Sequence, residues 1–244
     1  RSPTWTMISN QILQNTIDGL KEITRIDLCV MDTDGKTLAT TFSGQVSYED
    51  AVMAFASSPA DSQVIQGCQF FKIFDEHQLE YILLANGGSD DVYMVGKLAA
   101  FQIQSLLIAY KERFDKDNFI KNLLLDNLLL VDIYNRAKKL HIENDQKRIV
   151  FLVEAKSKDN QMLLETMKGM YASGMKDFVT AVDESSVILV KALEETDGYR
   201  EVYESAKSIA DTVSAEAMVN IRVSYGTIIH ELKDVSKSYK EARS

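Results

Sequence analysis

The stretch from Val92 to about Lys139 limits the fold more than any other part of this 244-residue chain. It holds no proline, and its only glycine is Gly96. Val95, Ala99, Ile103, Leu106, Tyr110, Phe114, Ile120, Leu124, Leu128 and Val131 recur every three or four residues, with Asp117 the polar member of the row. One helix, or two nearly collinear ones, carries such a stripe. Asp115 to Asn118 is a polar interruption and the expected place for a bend. Forty helical residues at 1.5 Å each span about 60 Å, more than a small domain is wide. A helix that outruns its domain buries its stripe on the next domain or on a second copy. We therefore expect a homodimer held largely by this helix, with Leu106 and Tyr110 at the contact.

The segments on either side differ in pattern. Before the helix, Ile8, Ile12, Ile17, Leu20 and Ile23 fall at helical spacing, and Ser9 or Asn10 caps the start. Ile26 to Met31 reads as a strand, and Asp34-Gly35 as a hairpin turn, since glycine tolerates the positive φ such turns demand. Thr37 to Phe42 is the returning strand. A short helix follows over Tyr48 to Ala56. Val64 to Phe74 and Glu80 to Ala85 are β-rich runs joined at Asp75-Glu76-His77-Gln78. Asn86 to Asp91 reads as a plain loop, because no Gly-Lys-Ser/Thr follows and its aspartates repel phosphate. Asp32-Thr33-Asp34-Gly35 opens like a calcium loop but lacks the spaced carboxylates and closing Glu.

After the helix, Arg148 to Glu154 is a near-continuous apolar strand, so a central position in a sheet is expected. Asn160 to Tyr171 is a helix closed by Ser173-Gly174. Phe178 to Val182 and Val187 to Val190 are strands, Tyr199 to Val213 a helix, Ile221 to Tyr225 a strand, and Leu232 opens a further helix. Strand, helix, strand, strand, helix, strand is the ferredoxin-like order. The fold class is therefore α+β. An N-terminal PAS- or GAF-like sensor sheet with flanking helices (residues 7–115) leads through the connecting helix to a degenerate ferredoxin-like domain (residues 116–244).

A formal net charge of −9 repels a phosphate backbone, so no direct contact with nucleic acid is expected. Cys29 and Cys68 sit in separate strand-like runs and read as buried reduced thiols. His77, His141 and His230 share no metal spacing. Neither a metal nor a cofactor is expected. No apolar run reaches the roughly 18 residues needed to span a bilayer, and there is no signal-peptide pattern, which points to a cytoplasmic protein without membrane contact. Arg1 to Thr6, ahead of Met7, read as a vector-derived remnant.

Two stretches in the second half carry a family resemblance. Val223-Ser224-Tyr225-Gly226, followed by Glu231-Leu232 and Ser238-Tyr239-Lys240-Glu241-Ala242-Arg243, resembles the pattern that closes the GGDEF-like domain of PucR-type regulators. These belong to the carbohydrate diacid regulator family. Phe119 to Leu140, with Asn127-Leu128-Leu129 and Ala137-Lys138-Lys139-Leu140, is similar to the entry into that domain. Val30-Met31-Asp32-Thr33-Asp34-Gly35-Lys36 is similar to the opening of the family's diacid-recognition domain, whose later glycine- and proline-rich ligand segment has no counterpart here. The resemblance implies the sensing and dimerising part of a transcription regulator. It also implies a small carboxylate or sugar acid as ligand, and a helix-turn-helix domain beyond Ser244, where the chain reads as truncated in mid-helix. A constitutive dimerisation scaffold without ligand is the competing expectation.

A diguanylate cyclase shares the ferredoxin-like order, but its signature hairpin would fall at Asp183-Glu184-Ser185-Ser186. Aspartate and glutamate there replace the glycines that let backbone approach a nucleotide, and serines replace the acidic pair. Glu154 alone does not assemble a two-metal site, so no enzyme is expected. For the sensor, Phe70 and Tyr81 are the candidate ring contacts, and Arg25 and Lys97 the candidate cations for a carboxylate ligand.

Overall fold

The computed structural model describes residues 8–44, 47–156, 160–171 and 176–244. It is a mixed α+β chain with two antiparallel sheets and divides into two compact units, Arg1–Arg113 and Phe114–Ser244. The sequence readings of Arg1 to Met7 and of Ser173-Gly174 lie outside the described residues.

The first unit opens with α1 (Asn10–Thr24), whose Ser9 hydroxyl accepts the Ile12 amide at 3.2 Å as the N-cap. Its strands are β1 (Asp27–Met31), β2 (Thr37–Thr40), β3 (Ser62–Ile65), β4 (Cys68–Asp75) and β5 (Gln78–Asn86), in sheet order β2-β1-β5-β4-β3. Gly35 turns β1 into β2 at φ +85°, and a Cβ there would also meet Glu49 at 2.7 Å. The run read as one strand from Val64 to Phe74 is in fact two. Gln66 and Gly67 take positive φ (52° and 79°) and fold it into a β3–β4 hairpin. Apolar residues flank that turn on both sides, and this continuity hid the break.

Alternation along the strands gives the sheet two apolar faces. Leu28, Val30, Phe71, Ile73, Tyr81 and Leu83 pack with Leu13 and Ile17 of α1 and with Ala99, Ile103 and Leu107. Those last three belong to α3 (Val92–Leu124). Cys29, Met31, Cys68, Phe70, Ile82 and Leu84 pack on the other face with Val52 and Phe55 of α2 (Glu49–Ala56) and with Tyr48. A sheet covered on both sides must be apolar on both, which β5 is over Tyr81–Ala85.

Helix α3 runs unbroken through Asp115–Asn118, where a bend was expected. Asp117 pairs with Lys121 one turn on (3.0 Å) and accepts the Thr180 hydroxyl at 2.7 Å. The Asp117 carboxylate is therefore satisfied without opening the helix. The break comes later. Asp126 takes φ +58° and the Asn127 amide reaches back to the Asn122 carbonyl at 2.9 Å, a left-handed closure usually given to glycine. A separate helix, α4 (Leu130–Lys139), follows.

By length and composition α3 is also long and apolar enough to cross a membrane, which the sequence reading did not find. Its apolar residues are divided between two faces with polar ones between them, so no contiguous run stands out.

The second unit holds β6 (Arg148–Ala155), α5 (Asn160–Tyr171), β7 (Phe178–Thr180), β8 (Ser186–Ala192), α6 (Tyr199–Ala217) and β9 (Ile221–Tyr225). After a 3₁₀ turn at Leu232–Asp234 comes α7 (Val235–Arg243). The sheet order is β7-β8-β6-β9 with every pair antiparallel, so β6 is central, as its continuous apolarity requires. Ile149, Phe151 and Val153 face α5 and α6. Val150 and Leu152 face α7, α4 and the α3 residues Phe119, Ile120, Leu123 and Leu124.

Candidate functional site

The four residues expected to meet a ligand do not share a site. Arg25 is exposed and caps α1 in the left-handed region at φ 64°. Lys97 is exposed on α3, its ammonium 5.6 Å from the centre of the Tyr93 ring. Phe70 and Tyr81 are both buried but on opposite faces of the sheet. Burial pushes the Tyr81 hydroxyl above its ordinary pKa, and a backbone hydrogen bond with Ile8 pulls the other way. Strand parity separates the two rings, and the sequence reading did not apply it across the two strands.

The face around Phe70 is the more distinctive environment. Phe55 and Tyr48 meet the Phe70 ring edge-on, at centroid distances of 5.6 and 6.1 Å. Phe42 stacks edge-on against Tyr48 in turn. The Tyr48 hydroxyl lies 3.3 Å from the Cys68 sulfur. That hydrogen bond, followed by burial, raises the Tyr48 pKa to about 12. Burial raises the Cys29 thiol to about 11, against a lowering hydrogen bond from Thr40. Cys29 is therefore a protonated thiol at neutral pH, weak as a nucleophile or a metal ligand. Among the described residues no cluster of three or more His, Cys, Asp or Glu could hold a metal ion.

Leu106 and Tyr110, expected at a dimer contact, are half-buried and pack on the core of the first unit. Met94, Leu98, Phe101 and Ile108 stand on the opposite side of α3 and are exposed. The row through Leu106 and Tyr110 is thus one of two apolar rows on this helix. The signal of the other was present, for 94, 98, 101, 105 and 108 step by four and three.

In the second unit the hairpin between β7 and β8 is closed on itself. One carboxylate oxygen of Asp183 accepts from the amides of Ser185 and Ser186 (2.9 and 3.0 Å) and from their hydroxyls (3.1 and 2.9 Å). Desolvation, the largest single influence, raises the Asp183 pKa. These hydrogen bonds outweigh it and hold the group below its ordinary value. The hairpin's serines thus serve its own aspartate.

The C-terminal signature is an internal lock. The Ser238 hydroxyl donates to the Thr227 carbonyl at 2.7 Å and accepts the Val150 amide at 3.1 Å. Ser224 donates to the Ala242 carbonyl at 2.8 Å, and the Arg243 guanidinium lies 4.4 Å from the Tyr239 ring centre. The two serines join α7 to β9 and to β6. Residues 127–244 match the family model described as GGDEF-like domain. The chain carries a GGDEF-like domain.

Within the GGDEF-like domain, Arg148 is the deepest charge. Its Nη2 donates to the Glu143 carbonyl at 2.7 Å, while Nε and Nη1 have no hydrogen-bond partner. Burial lowers its pKa to about 10, opposed by Glu143 and Asp177. Those nitrogens have no accessible surface, so the charge belongs to the interior and not to an open site.

No curated protein sequence matches the chain. Among solved structures it is similar to PelD from Pseudomonas aeruginosa PAO1, at 11% identity and a TM-score of 0.32, over 88% of this chain and 82% of that one. PelD 156-455 from Pseudomonas aeruginosa PA14 matches in its apo form, at 13% identity and a TM-score of 0.33, over 88% and 80%. It also matches in complex with c-di-GMP, at 12% identity and a TM-score of 0.32, over 88% and 81%.

Proposed function

We propose that this chain is the ligand-sensing and dimerising portion of a bacterial transcription regulator, passing its signal to a DNA-binding domain outside these residues. The observation that carries the reading is α3. Its Ala99, Ile103 and Leu107 belong to the core of the first unit, and its Phe119, Ile120, Leu123 and Leu124 to the core of the second. A helix shared by two cores is a physical route for a small shift at one to reach the other.

In this reading the first unit is a PAS- or GAF-like sensor. Its five-stranded sheet with helices on both faces supports that assignment. The resemblance to carbohydrate diacid regulators supplies the ligand class, a small carboxylate or sugar acid, as well as a cytoplasmic setting and a homodimer. The GGDEF-like domain acts as a connector and not as a cyclase. The self-closed hairpin at Asp183 supports this, since its carboxylate is engaged by Ser185 and Ser186.

The test is thermal unfolding of the chain with glucarate and with a panel of small dicarboxylates. Binding at a hundredfold excess over Kd adds about 2.7 kcal/mol of stability, which is readily measured. Specific stabilisation by one of them is expected. No stabilisation by any of them, together with conversion of GTP and magnesium to a cyclic dinucleotide, would sink the reading.

One observation favours a second reading, a constitutive dimerisation scaffold. Phe55, Tyr48 and Phe70 fill their face of the sheet with their own rings, as a ligand-free core does.

A further inference from the structure

Helix α3 exposes a second apolar row on the side turned away from the sheet. Met94, Leu98, Phe101 and Ile108 are 57%, 61%, 70% and 52% exposed. With Ser105 they fall at steps of four, three, four and three residues. That spacing keeps side chains on one seam of a helix and is the repeat by which two helices interlock knobs into holes. At 100° per residue the row lies opposite Gly96, Ala99, Ile103 and Leu107, which are buried against the sheet. The helix therefore has one seam in use and one unpartnered.

We propose that this row is the seam between two copies of the chain, each presenting Met94, Leu98, Phe101, Ser105 and Ile108 to its partner. The proposal rests on the dimer reading above and replaces Leu106 and Tyr110 as its contact.

The size of the row fits a second copy. It leaves on the order of 500 Å² of side-chain surface in water, the size at which an apolar patch on a monomer marks an interaction site. Two copies together bury about 1,000 Å², the threshold for a specific protein interface. The row stops where polarity resumes, as the next seam positions are Glu112 and Asp115. Carboxylates at those positions end the contact, so its length is set by sequence.

A bilayer suits the row less well. Spanning would strip Gly96, Ala99, Ile103 and Leu107 from the sheet they pack on. Lying flat on an anionic surface is opposed by a net charge of −9.

The test uses the whole chain in four forms. Sedimentation of the wild type at micromolar concentration should give a dimer, twice 27.5 kDa. Leu98→Glu combined with Phe101→Glu should give a monomer with unchanged circular dichroism. Phe101 is the middle of the row and meets its own counterpart whether the helices run parallel or antiparallel. Phe101→Cys should therefore form an intermolecular disulfide on mild oxidation, while Gln63→Cys, exposed on β3, should not. The native Cys29 and Cys68 are buried and leave the background low.

A double variant that stays dimeric, with no cross-link at Phe101→Cys, overturns the seam but leaves the dimer standing. A wild-type monomer at every concentration overturns both. A monomer that co-sediments with phosphatidylcholine–phosphatidylglycerol vesicles, and loses this in the double variant, assigns the row to lipid and overturns the seam.

Discussion

A Cβ placed on Gly226 would stand 1.8 Å from the carbonyl oxygen of Ser238, and 2.6 and 2.8 Å from the two carbons behind it. All three atoms are backbone of α7, so no rotamer change relieves the clash. The helix lies this close because Ser238, with no exposed surface, bonds Thr227 and Val150 from one hydroxyl. Gly226→Ala is expected to cost at least the upper end of the roughly 1–3 kcal/mol seen on overpacking a core. Urea unfolding checks this. A midpoint equal to that of wild type would mean α7 is free to move off the sheet.

Asp183 sets an acid limb of stability. Its folded pKa is depressed, because hydrogen bonds from Ser185 and Ser186 outweigh the desolvation that would raise it. Its contribution is therefore present above the unfolded pKa and lost as pH falls through the folded one. Asp183→Asn should be slightly less stable at neutral pH and should lose less stability on acidification than wild type. The carboxylate is exposed, so the effect is small. Stability followed from pH 7 down to about 3, across the carboxylate range, measures it. Parallel curves for the two proteins would count against these hydrogen bonds.

Glu80 has the opposite sign. Burial first, then the charge of Asp75, raises its folded pKa, against a lowering pull from Lys111. Its Oε1 is buried without a hydrogen-bond partner. The folded state therefore holds the proton more tightly than the unfolded state, and stability declines as pH rises from the unfolded pKa through the folded one. Glu80→Gln removes that decline and should raise the melting temperature at pH 7 while changing little at pH 4. A lower melting temperature at pH 7 would show that the Lys111 attraction outweighs desolvation.

Much of the fold was legible because the chain states it locally. The Asp34-Gly35 turn, the central strand at Arg148–Glu154 and the helix Asn160–Tyr171 all follow from turn chemistry or hydrophobic period. The Gln66-Gly67 hairpin was hidden because apolar residues flank it, and a non-glycine residue, Gln66, takes one of its positive φ angles. The end of α3 was misplaced for a related reason. The Asp117 carboxylate is satisfied by Lys121 one turn on and by Thr180, whereas the break at Asp126 depends on one left-handed residue. Phe70 and Tyr81 fall on opposite faces of the sheet because sheet face is a property of register. Phe70 opposes Leu84 and Tyr81 opposes Ile73 across β4 and β5, and that pairing cannot be read from either strand alone.

Gly96 is the one glycine of α3, and two effects of opposite sign meet there. Replacing an interior helical glycine with alanine favours the helix by about 1 kcal/mol. A Cβ at this position, however, would stand 2.3 and 2.8 Å from the Phe71 ring and 3.1 Å from the Ala85 Cβ. Phe71 is buried, with Tyr93 at 5.6 Å between ring centres, so the ring cannot simply swing aside. Moving it, or pushing α3 off the sheet, carries the roughly 1–3 kcal/mol of overpacking, which exceeds the helix gain. Gly96→Ala should therefore be destabilised, whereas Gly169→Ala on α5, where a Cβ meets nothing within 4 Å, should be stabilised. Comparing the two variants by thermal unfolding separates contact from propensity. If both are stabilised alike, the Phe71 ring has room to yield and close packing does not hold α3 to the sheet at this point.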